Sequence, residues 1–258
     1  QHQQILQSID YARVIQDAML DRSKQQMAQQ LNDWCLHWQP RDGVGGDYYA
    51  FHQDEHGWLA LIADCTGHGI PGAFMTVILQ SALENALQKN RRAPSDLLQS
   101  LNRHIKQTLG QLNATQQTSL SNDGCDAIAL RLDTHQHQLS WASARMHALL
   151  HPAAGEAESL KADRVGVGYT DTPQDYIWPE HQRTLHPGDM LLVMTDGVTD
   201  QPGGERHIMF GKKRIQTLVT QYQTLPMTEL SATFEREFLN WQGNQPRRDD
   251  VTWFGFRY

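Results

Sequence analysis

The N-terminal part of the chain has the polar and apolar pattern of an amphipathic helix. Apolar residues recur every three or four positions: Ile5, Ile9, Ala12, Ile15 and Met19. We therefore predict one long or broken helix over residues 5–38. Such a helix either packs on its own domain or pairs with a second copy as a dimerising signalling helix, and the pattern fits both.

Beyond Pro40 the pattern changes to short apolar or alternating runs bounded by turn residues. Strands are predicted at 47–51, 57–63, 127–132, 138–143, 148–151, 190–194 and 251–256. Helices are predicted at 71–90, 95–109, 208–222 and 227–241, and residues 111–124 are predicted to form a loop. Helix pairs between groups of strands predict an α+β sandwich, with residues 1–38 as a linker and 39–258 as the main domain.

Four short acidic segments carry the candidate chemistry. They lie in turn-forming sequence, and three adjoin an apolar strand: 44–49, 63–69, 194–197 and 248–252. Carboxylates brought from strand ends to one point suit a hard divalent cation. Such a cluster also activates water for attack on a phosphoryl group. Each segment alone is also compatible with a plain turn, but Asp249 and Asp250 are costly to bury as a pair without a cation.

Composition narrows the class of protein. Hydrophobic residues make up 39% and charged residues 20%, as is typical of a globular domain. A net charge of −7 argues against nucleic-acid binding, which needs a basic face. Three cysteines without a C-x-x-C pair indicate a reducing compartment. No apolar run is long enough for a membrane helix. Because the chain starts at Gln1 without methionine, we expect a piece of a longer protein, whose other parts are compatible with a membrane anchor.

Segments 40–49, 63–73, 195–200 and 249–252 together resemble the SpoIIE/RsbU branch of the PPM (PP2C-like) protein serine/threonine phosphatases. The resemblance covers residues 39–258 in the same order. Residues 9–16 resemble the linker that joins HAMP or other sensor segments to such domains, as in SiaA-type membrane receptors. The resemblance implies a PP2C-like four-layer αββα sandwich preceded by a helical linker.

The resemblance also implies a centre with two Mn²⁺ or Mg²⁺ ions. Asp47 would bridge both ions, and the remaining ligands would be Asp64, the backbone carbonyl of Cys65, Asp196 and Asp249. Asp250 is the alternative to Asp249, since the sequence does not show which of the two points inward. Asp200 either joins a third, weaker cation site or caps a turn.

The implied reaction is hydrolysis of phosphoserine or phosphothreonine on a small signalling phosphoprotein of the anti-sigma-factor-antagonist type. His68 either protonates the leaving oxygen or orients the ligand loop. Arg41 is a candidate for gripping the phosphate. The segment 122–126 either edges the site or forms a hairpin turn. We further expect a homodimer through the N-terminal helix and a cytoplasmic location.

Two other functions fit parts of the sequence. Gly45-Gly46-Asp47-Tyr48-Tyr49 is similar to the Gly-Gly-Asp-Glu-Phe signature of diguanylate cyclases, but the later acidic segments would then have no role. A catalytically idle pseudophosphatase acting as a dimeric regulatory module is the second alternative. The presence of every expected acidic ligand argues against it.

Overall fold

Two five-stranded antiparallel sheets lie at the centre of the computed structural model, which describes residues 2–112 and 121–258. In spatial order, the first sheet consists of β1 (Asp33–Gln39), β12 (Val251–Arg257), β9 (Met190–Met194), β6 (His147–His151) and β7 (Glu158–Ser159). The second consists of β2 (Asp47–Asp54), β3 (Gly57–Cys65), β4 (Cys125–Asp133), β5 (Gln138–Ala144) and β8 (His181–Thr184). A separate ribbon pairs β10 (Pro202–Gly203) with β11 (Ile208–Met209).

Helices cover the outer face of each sheet. The second sheet is covered by α1 (His2–Gln30), α2 (Gly69–Gln88) and α3 (Pro94–Thr108). The first sheet is covered by α5 (Lys212–Gln221) and α6 (Met227–Gln242), while α4 (Asp196–Thr199) is a single turn after β9. The predicted four-layer αββα sandwich is therefore confirmed.

The wholly apolar sequence of β9 follows from its position inside this sandwich. Leu191 and Val193 face the core between the two sheets. Met190, Leu192 and Met194 point the other way, into the core beneath α5 and α6. Because both faces of the strand are buried, apolar residues replace the alternation of a half-exposed strand.

Two predicted helices were wrong in extent. The N-terminal helix ends at Gln30, and residues predicted to continue it form β1, which pairs with β12 from Asp33 to Gln39. Three aromatic or apolar side chains of β1, Trp34, Leu36 and Trp38, pack on the inter-sheet core, which favours a strand. The helix predicted at 208–222 begins only at Lys212, because Gly211 has φ +79° and Ile208–Met209 is in the ribbon.

The boundary between a linker at 1–38 and a domain at 39–258 stays a prediction. Strand β1 runs across this boundary and is hydrogen-bonded into the first sheet. The loop predicted at 111–124 lies partly outside the described residues. None of the helices described here combines the length and apolar character needed to cross a membrane.

Candidate active site

The acidic segments meet at one edge of the sandwich because the strands that carry them begin or end there. Asp47 opens β2 and lies opposite Asp64 near the end of β3. In the first sheet, β9 ends at Met194 immediately before Asp196, and Met194 pairs with Trp253 just after Asp249 and Asp250. The structure thus brings all four predicted segments to the same edge. Asp64, in β3, and Asp196, in α4 directly after β9, are in side-chain hydrogen-bonding contact.

Asp47 is the most enclosed carboxylate of this cluster, with 1% of its surface exposed. Its Oδ2 accepts hydrogen bonds from Thr252 Oγ1 at 2.7 Å and Thr195 Oγ1 at 2.9 Å. Its Oδ1 is buried and has no hydrogen-bond partner among the described residues. Burial, followed by the charge of Asp250, raises the pKa of Asp47 to about 8. A buried carboxylate oxygen without a partner is costly unless a cation satisfies it.

The pKa values of Asp64 and Asp196 are raised as well. Burial, then the charges of Asp47 and Asp196, raises the pKa of Asp64 well above its usual range. Burial also raises the pKa of Asp196. Two carboxyls in contact favour sharing one proton, because two like charges at that distance repel. A divalent cation between them would remove both the repulsion and the penalty of burial.

The donor set fits hard divalent cations. All candidate side-chain ligands are carboxylates, and oxygen ligands suit Mg²⁺ and Mn²⁺. Within residues 2–112 and 121–258, however, no three Asp, Glu, His or Cys side chains form a ready-made metal cluster. We therefore base the fit on the partnerless Oδ1 of Asp47 and the all-oxygen donor set.

The structure distinguishes Asp249 from Asp250. Both oxygens of Asp250 accept backbone N–H groups, from Arg41 and from Gly46, each at 2.7 Å. A Cβ at Gly45 would lie 2.6 Å from the Asp250 carboxyl, so only glycine permits this approach. Asp249 accepts the Asp250 N–H at 2.8 Å through Oδ1. Its charge contributes to the raised pKa values of Asp47, Asp64 and Asp196, whereas the charge of Asp250 contributes to that of Asp47. Asp250 thus holds the loop, and Asp249 faces the cluster.

Cys65 is positioned through its backbone. Its N–H donates to the Gly46 carbonyl at 2.9 Å, and a Cβ at Gly46 would lie 2.9 Å from the Cys65 carbonyl oxygen. The Cys65 thiol is buried and contacts the Cys125 thiol across the β3–β4 pair. That contact, followed by burial, raises the pKa of Cys65 well above its usual range, so the side chain is a neutral thiol.

Arg41 and His68 lie together at the rim of the cluster. His68 Nδ1 is 2.7 Å from Asp42 Oδ2, and its Nε2 is 3.2 Å from Arg41 Nη1. Because guanidinium only donates, we assign Nε2 as the acceptor and Nδ1 as the protonated nitrogen. Arg41 Nη1 also donates to the Arg248 carbonyl at 3.0 Å. Both predicted residues are therefore engaged in fixing the loop.

Several site residues were missed by the sequence reasoning. Thr195 and Thr252 stand inside the quoted segments, where a hydroxyl beside an acidic residue is a weak signal. Within the segment 122–126, Cys125 and Asp126 begin β4. Asp126 then lies on β4 opposite Asp64. Asp200 follows α4, where its Oδ1 accepts from Thr199 Oγ1 at 3.1 Å, as a residue closing a turn does.

Comparison with known proteins identifies the family. The family profile described as "Stage II sporulation protein E (SpoIIE)" matches residues 54–258. Phosphoserine phosphatase RsbU of Bacillus subtilis (strain 168) is 27% identical over 166 residues, which cover 62% of this chain and 44% of RsbU. The chain therefore spans less than half the length of this relative.

Solved structures agree with that assignment. The SiaA-PP2C domain of Pseudomonas aeruginosa is 30% identical with a TM-score of 0.88, covering 100% of this chain and 98% of that one. RsbX in complex with magnesium has a TM-score of 0.56 at 16% identity, covering 87% of this chain and 94% of that one, and shows the fold alone. The chain belongs to the SpoIIE family and has the PP2C-type α+β fold.

Proposed function

We propose that this chain is a metal-dependent protein serine/threonine phosphatase. The observation that carries the proposal is the buried Asp47 carboxylate, whose Oδ1 has no partner among the described residues, where four acidic segments converge. Membership of the SpoIIE family and the similarity to a phosphoserine phosphatase support it. A diguanylate cyclase gains no support from an αββα sandwich of this family.

Two Mn²⁺ or Mg²⁺ ions are the proposed cofactors. Asp47 would bridge them, with Asp64, the Cys65 carbonyl, Asp196 and Asp249 as further ligands. The similar RsbX structure contains magnesium, which is consistent with this choice. When bound, such ions activate water and neutralise charge on the phosphoryl oxygens.

The chain's own residues prepare the site for that reaction. The hydroxyls of Thr195 and Thr252 orient one oxygen of Asp47 and leave the other for a ligand. Asp250 fixes the backbone that leads into Asp47. We assign His68 to orientation of this loop rather than to proton donation, because its Nε2 accepts from Arg41. Water replaces the serine oxygen on phosphorus, and the leaving oxygen gains a proton from solvent.

Substitution of the bridging carboxylate tests the proposal. Asp47→Ala is expected to lower manganese-dependent hydrolysis of p-nitrophenyl phosphate more than about a hundredfold, since several kcal/mol of charge stabilisation is lost. The exposed Asp175→Ala serves as the matched control with unchanged activity. Calorimetry with Mn²⁺ shows whether the variant has lost cation binding. A wild-type protein that binds Mn²⁺ but hydrolyses neither this ester nor phosphoproteins supports the pseudophosphatase instead.

The proposed macromolecular substrate is a small signalling phosphoprotein of the anti-sigma-factor-antagonist type. We further propose that residues 1–38 link the phosphatase domain at 39–258 to a sensor in a longer protein. In this arrangement the domain acts in the cytoplasm, as part of a receptor in the inner membrane. These proposals rest on the family, and dephosphorylation of a purified phosphorylated antagonist by the full-length protein tests the substrate class.

We also propose a homodimer formed through α1. Apolar side chains are exposed on α1 and the adjoining α2: Ile5, Leu6, Tyr11, Val14, Ile15, Ile70, Phe74 and Val77. The two helices meet where Gln16 Nε2 donates to Thr76 Oγ1 at 3.2 Å. Apolar exposure of this extent on neighbouring helices is typical of an interaction surface.

Charge introduced into this surface tests the dimer. Val14→Asp with Ile15→Asp is expected to give a monomer in light scattering, because two carboxylates would be buried at the interface. Ile9 makes an informative contrast, because its side chain packs against Gly43 of the same chain. A Cβ added to Gly43 would lie 3.2 Å from Ile9 Cγ2. Ile9→Asp should therefore lower stability without specifically blocking association. A Val14→Asp, Ile15→Asp variant that stays dimeric refutes the interface.

A further inference from the structure

A cavity of about 200 Å³ opens beside the acidic cluster on the side of α5. Its acidic lining residues are Asp64, Asp126, Asp196 and Asp200. Arg145 and Lys212 line it as well, and they are its two cationic residues. With cations held by the acidic cluster, the negative charge of these carboxylates would be offset, and the two cationic side chains would be available to a phosphate group.

Arg145 is held in place at this cavity by several contacts. Its Nε donates to the Arg164 carbonyl at 2.9 Å, and its guanidinium lies 5.3 Å from the ring centroid of Tyr169. Nη1 forms an ion pair with Asp126 Oδ1 at 3.6 Å, a distance too long for a hydrogen bond. The side chain keeps 40% of its surface exposed. The guanidinium is thus positioned without being enclosed.

The backbone of Arg145 is unusual. It has φ +64° in the short connection between β5 and β6, a region that favours glycine. Non-glycine residues in this conformation persist where surrounding contacts impose it, and they concentrate at functional sites. An arginine rather than glycine at this position suggests that the side chain is needed.

The opposite wall also favours an anion. Lys212 is the first residue of α5, whose N-terminus carries the positive end of the helix dipole. His147 Nε2 is buried and without a hydrogen-bond partner in the described part of the chain. Burial, then the charge of Lys212, lowers the pKa of His147 to about 4, so the imidazole is neutral. Neither residue adds negative charge to the cavity.

We propose that Arg145 and Lys212 bind the phosphate of the substrate and, after hydrolysis, the inorganic phosphate product. This inference rests on the proposed phosphatase function and adds the residues that recognise the phosphate. Arg41, the sequence-based candidate, has its guanidinium engaged with His68 and the Arg248 carbonyl. Arg145 takes that role in its place, from the opposite rim of the cluster.

Binding of inorganic phosphate to the Mn²⁺-loaded protein tests the proposal directly. By calorimetry, Arg145→Ala is expected to weaken phosphate binding about tenfold, as loss of a charged hydrogen bond does. Arg145→Lys should keep part of the affinity, and Lys212→Ala should weaken it about threefold, because an exposed charge is screened. The exposed Arg236→Ala on α6 is the matched control with unchanged phosphate affinity. With p-nitrophenyl phosphate, Arg145→Ala should raise KM more than it lowers kcat.

A second variant guards against a folding artefact. Arg145→Gly removes the guanidinium and accepts φ +64° without strain, so it should weaken phosphate binding as Arg145→Ala does. Unchanged phosphate affinity in both variants overturns the proposal. The proposal is also overturned if these variants bind Mn²⁺ more strongly than the wild type and their phosphate affinity is unchanged. The cavity would then hold an additional cation near Asp126 and Asp200.

The outcomes also separate this inference from the proposed function. If the wild-type protein binds phosphate through Arg145 but hydrolyses no phosphate ester, the phosphate site is supported and the proposed phosphatase function is refuted. If the wild-type protein is an active phosphatase and Arg145→Ala changes neither the phosphate affinity nor the KM, the phosphatase function is supported and the phosphate site is refuted. If Asp126→Asn restores phosphate binding to Arg145→Ala, the arginine serves only to neutralise Asp126, and the proposal is wrong.

Discussion

The two sides of the acidic cluster are built differently. On the side of α1 and α2, Asp250 accepts two backbone N–H groups and His68 is bonded through both ring nitrogens. On the side of α5, Asp126 Oδ1 and His147 Nε2 are buried without hydrogen-bond partners among the described residues. One side is internally satisfied, and the other has unused hydrogen-bonding capacity beside a cavity.

This difference indicates that the two sides have different functions. A carboxylate site keeps its geometry only if the surrounding groups hold it, which the hydrogen-bonded side does. A ligand that must enter and leave needs groups that are not already paired with the protein. We therefore assign cation holding to the first side. On the second side an ionised Asp126 only accepts hydrogen bonds, so phosphate recognition there rests on the cationic Arg145 and Lys212.

The largest expected effect comes from substituting Asp249 and Asp250 separately and comparing the two variants. Asp249→Asn is expected to reduce Mn²⁺ affinity more than about a hundredfold, since the charge of the ligand that we propose is lost. Asp250→Asn should mainly lower stability, by about 1.5–3 kcal/mol, because an amide cannot accept both backbone N–H groups. Calorimetry with Mn²⁺ and thermal unfolding of each variant make the measurement. The reverse pattern would identify Asp250 as the ligand.

A smaller effect is expected when the hydroxyls that orient Asp47 are removed. Thr195→Val with Thr252→Val keeps the side-chain volume but takes both donors from Asp47 Oδ2. Loss of the groups that hold a ligand typically costs 10- to 100-fold in metal affinity. Thr217→Val, whose hydroxyl bonds only within α5, is the matched control. Unchanged Mn²⁺ affinity in the double variant would show that the hydroxyls do not orient the ligand.

The smallest effect should come from Gln16, which connects α1 to the hydrogen-bonded side. Its amide both donates to the Gly45 carbonyl at 2.8 Å and accepts from the Gly45 N–H at 3.1 Å. Gln16→Leu leaves these buried backbone groups unpaired and should cost about 1–3 kcal/mol of stability, together with a several-fold loss of Mn²⁺ affinity. The exposed Gln7→Leu is the control. Lowered stability with full Mn²⁺ affinity would show that α1 does not influence the site.

Much of this architecture was predictable, because apolar periodicity reports burial. The strand at 190–194 and the helix at 227–241 were found almost to the residue. Residues 33–39 were misassigned because periodicity alone does not separate a short, partly buried strand from the end of a helix. The acidic residues were found because charge beside an apolar strand is unusual. Arg145 and Gln16 were not, since their roles depend on contacts between residues far apart in the chain.

The order of strands in the first sheet has a consequence for biosynthesis. The strand β12 lies between β1 and β9, although it is the last strand of the chain. During synthesis β1 therefore emerges from the ribosome more than two hundred residues before β12. Until residues 251–257 emerge, β1 has no strand to pair with in the first sheet. Long-range pairing of this kind is slow and exposes unpaired strand edges. Since Asp249 and Thr252 arrive with β12, a nascent chain cannot assemble the acidic cluster before synthesis of this domain is complete.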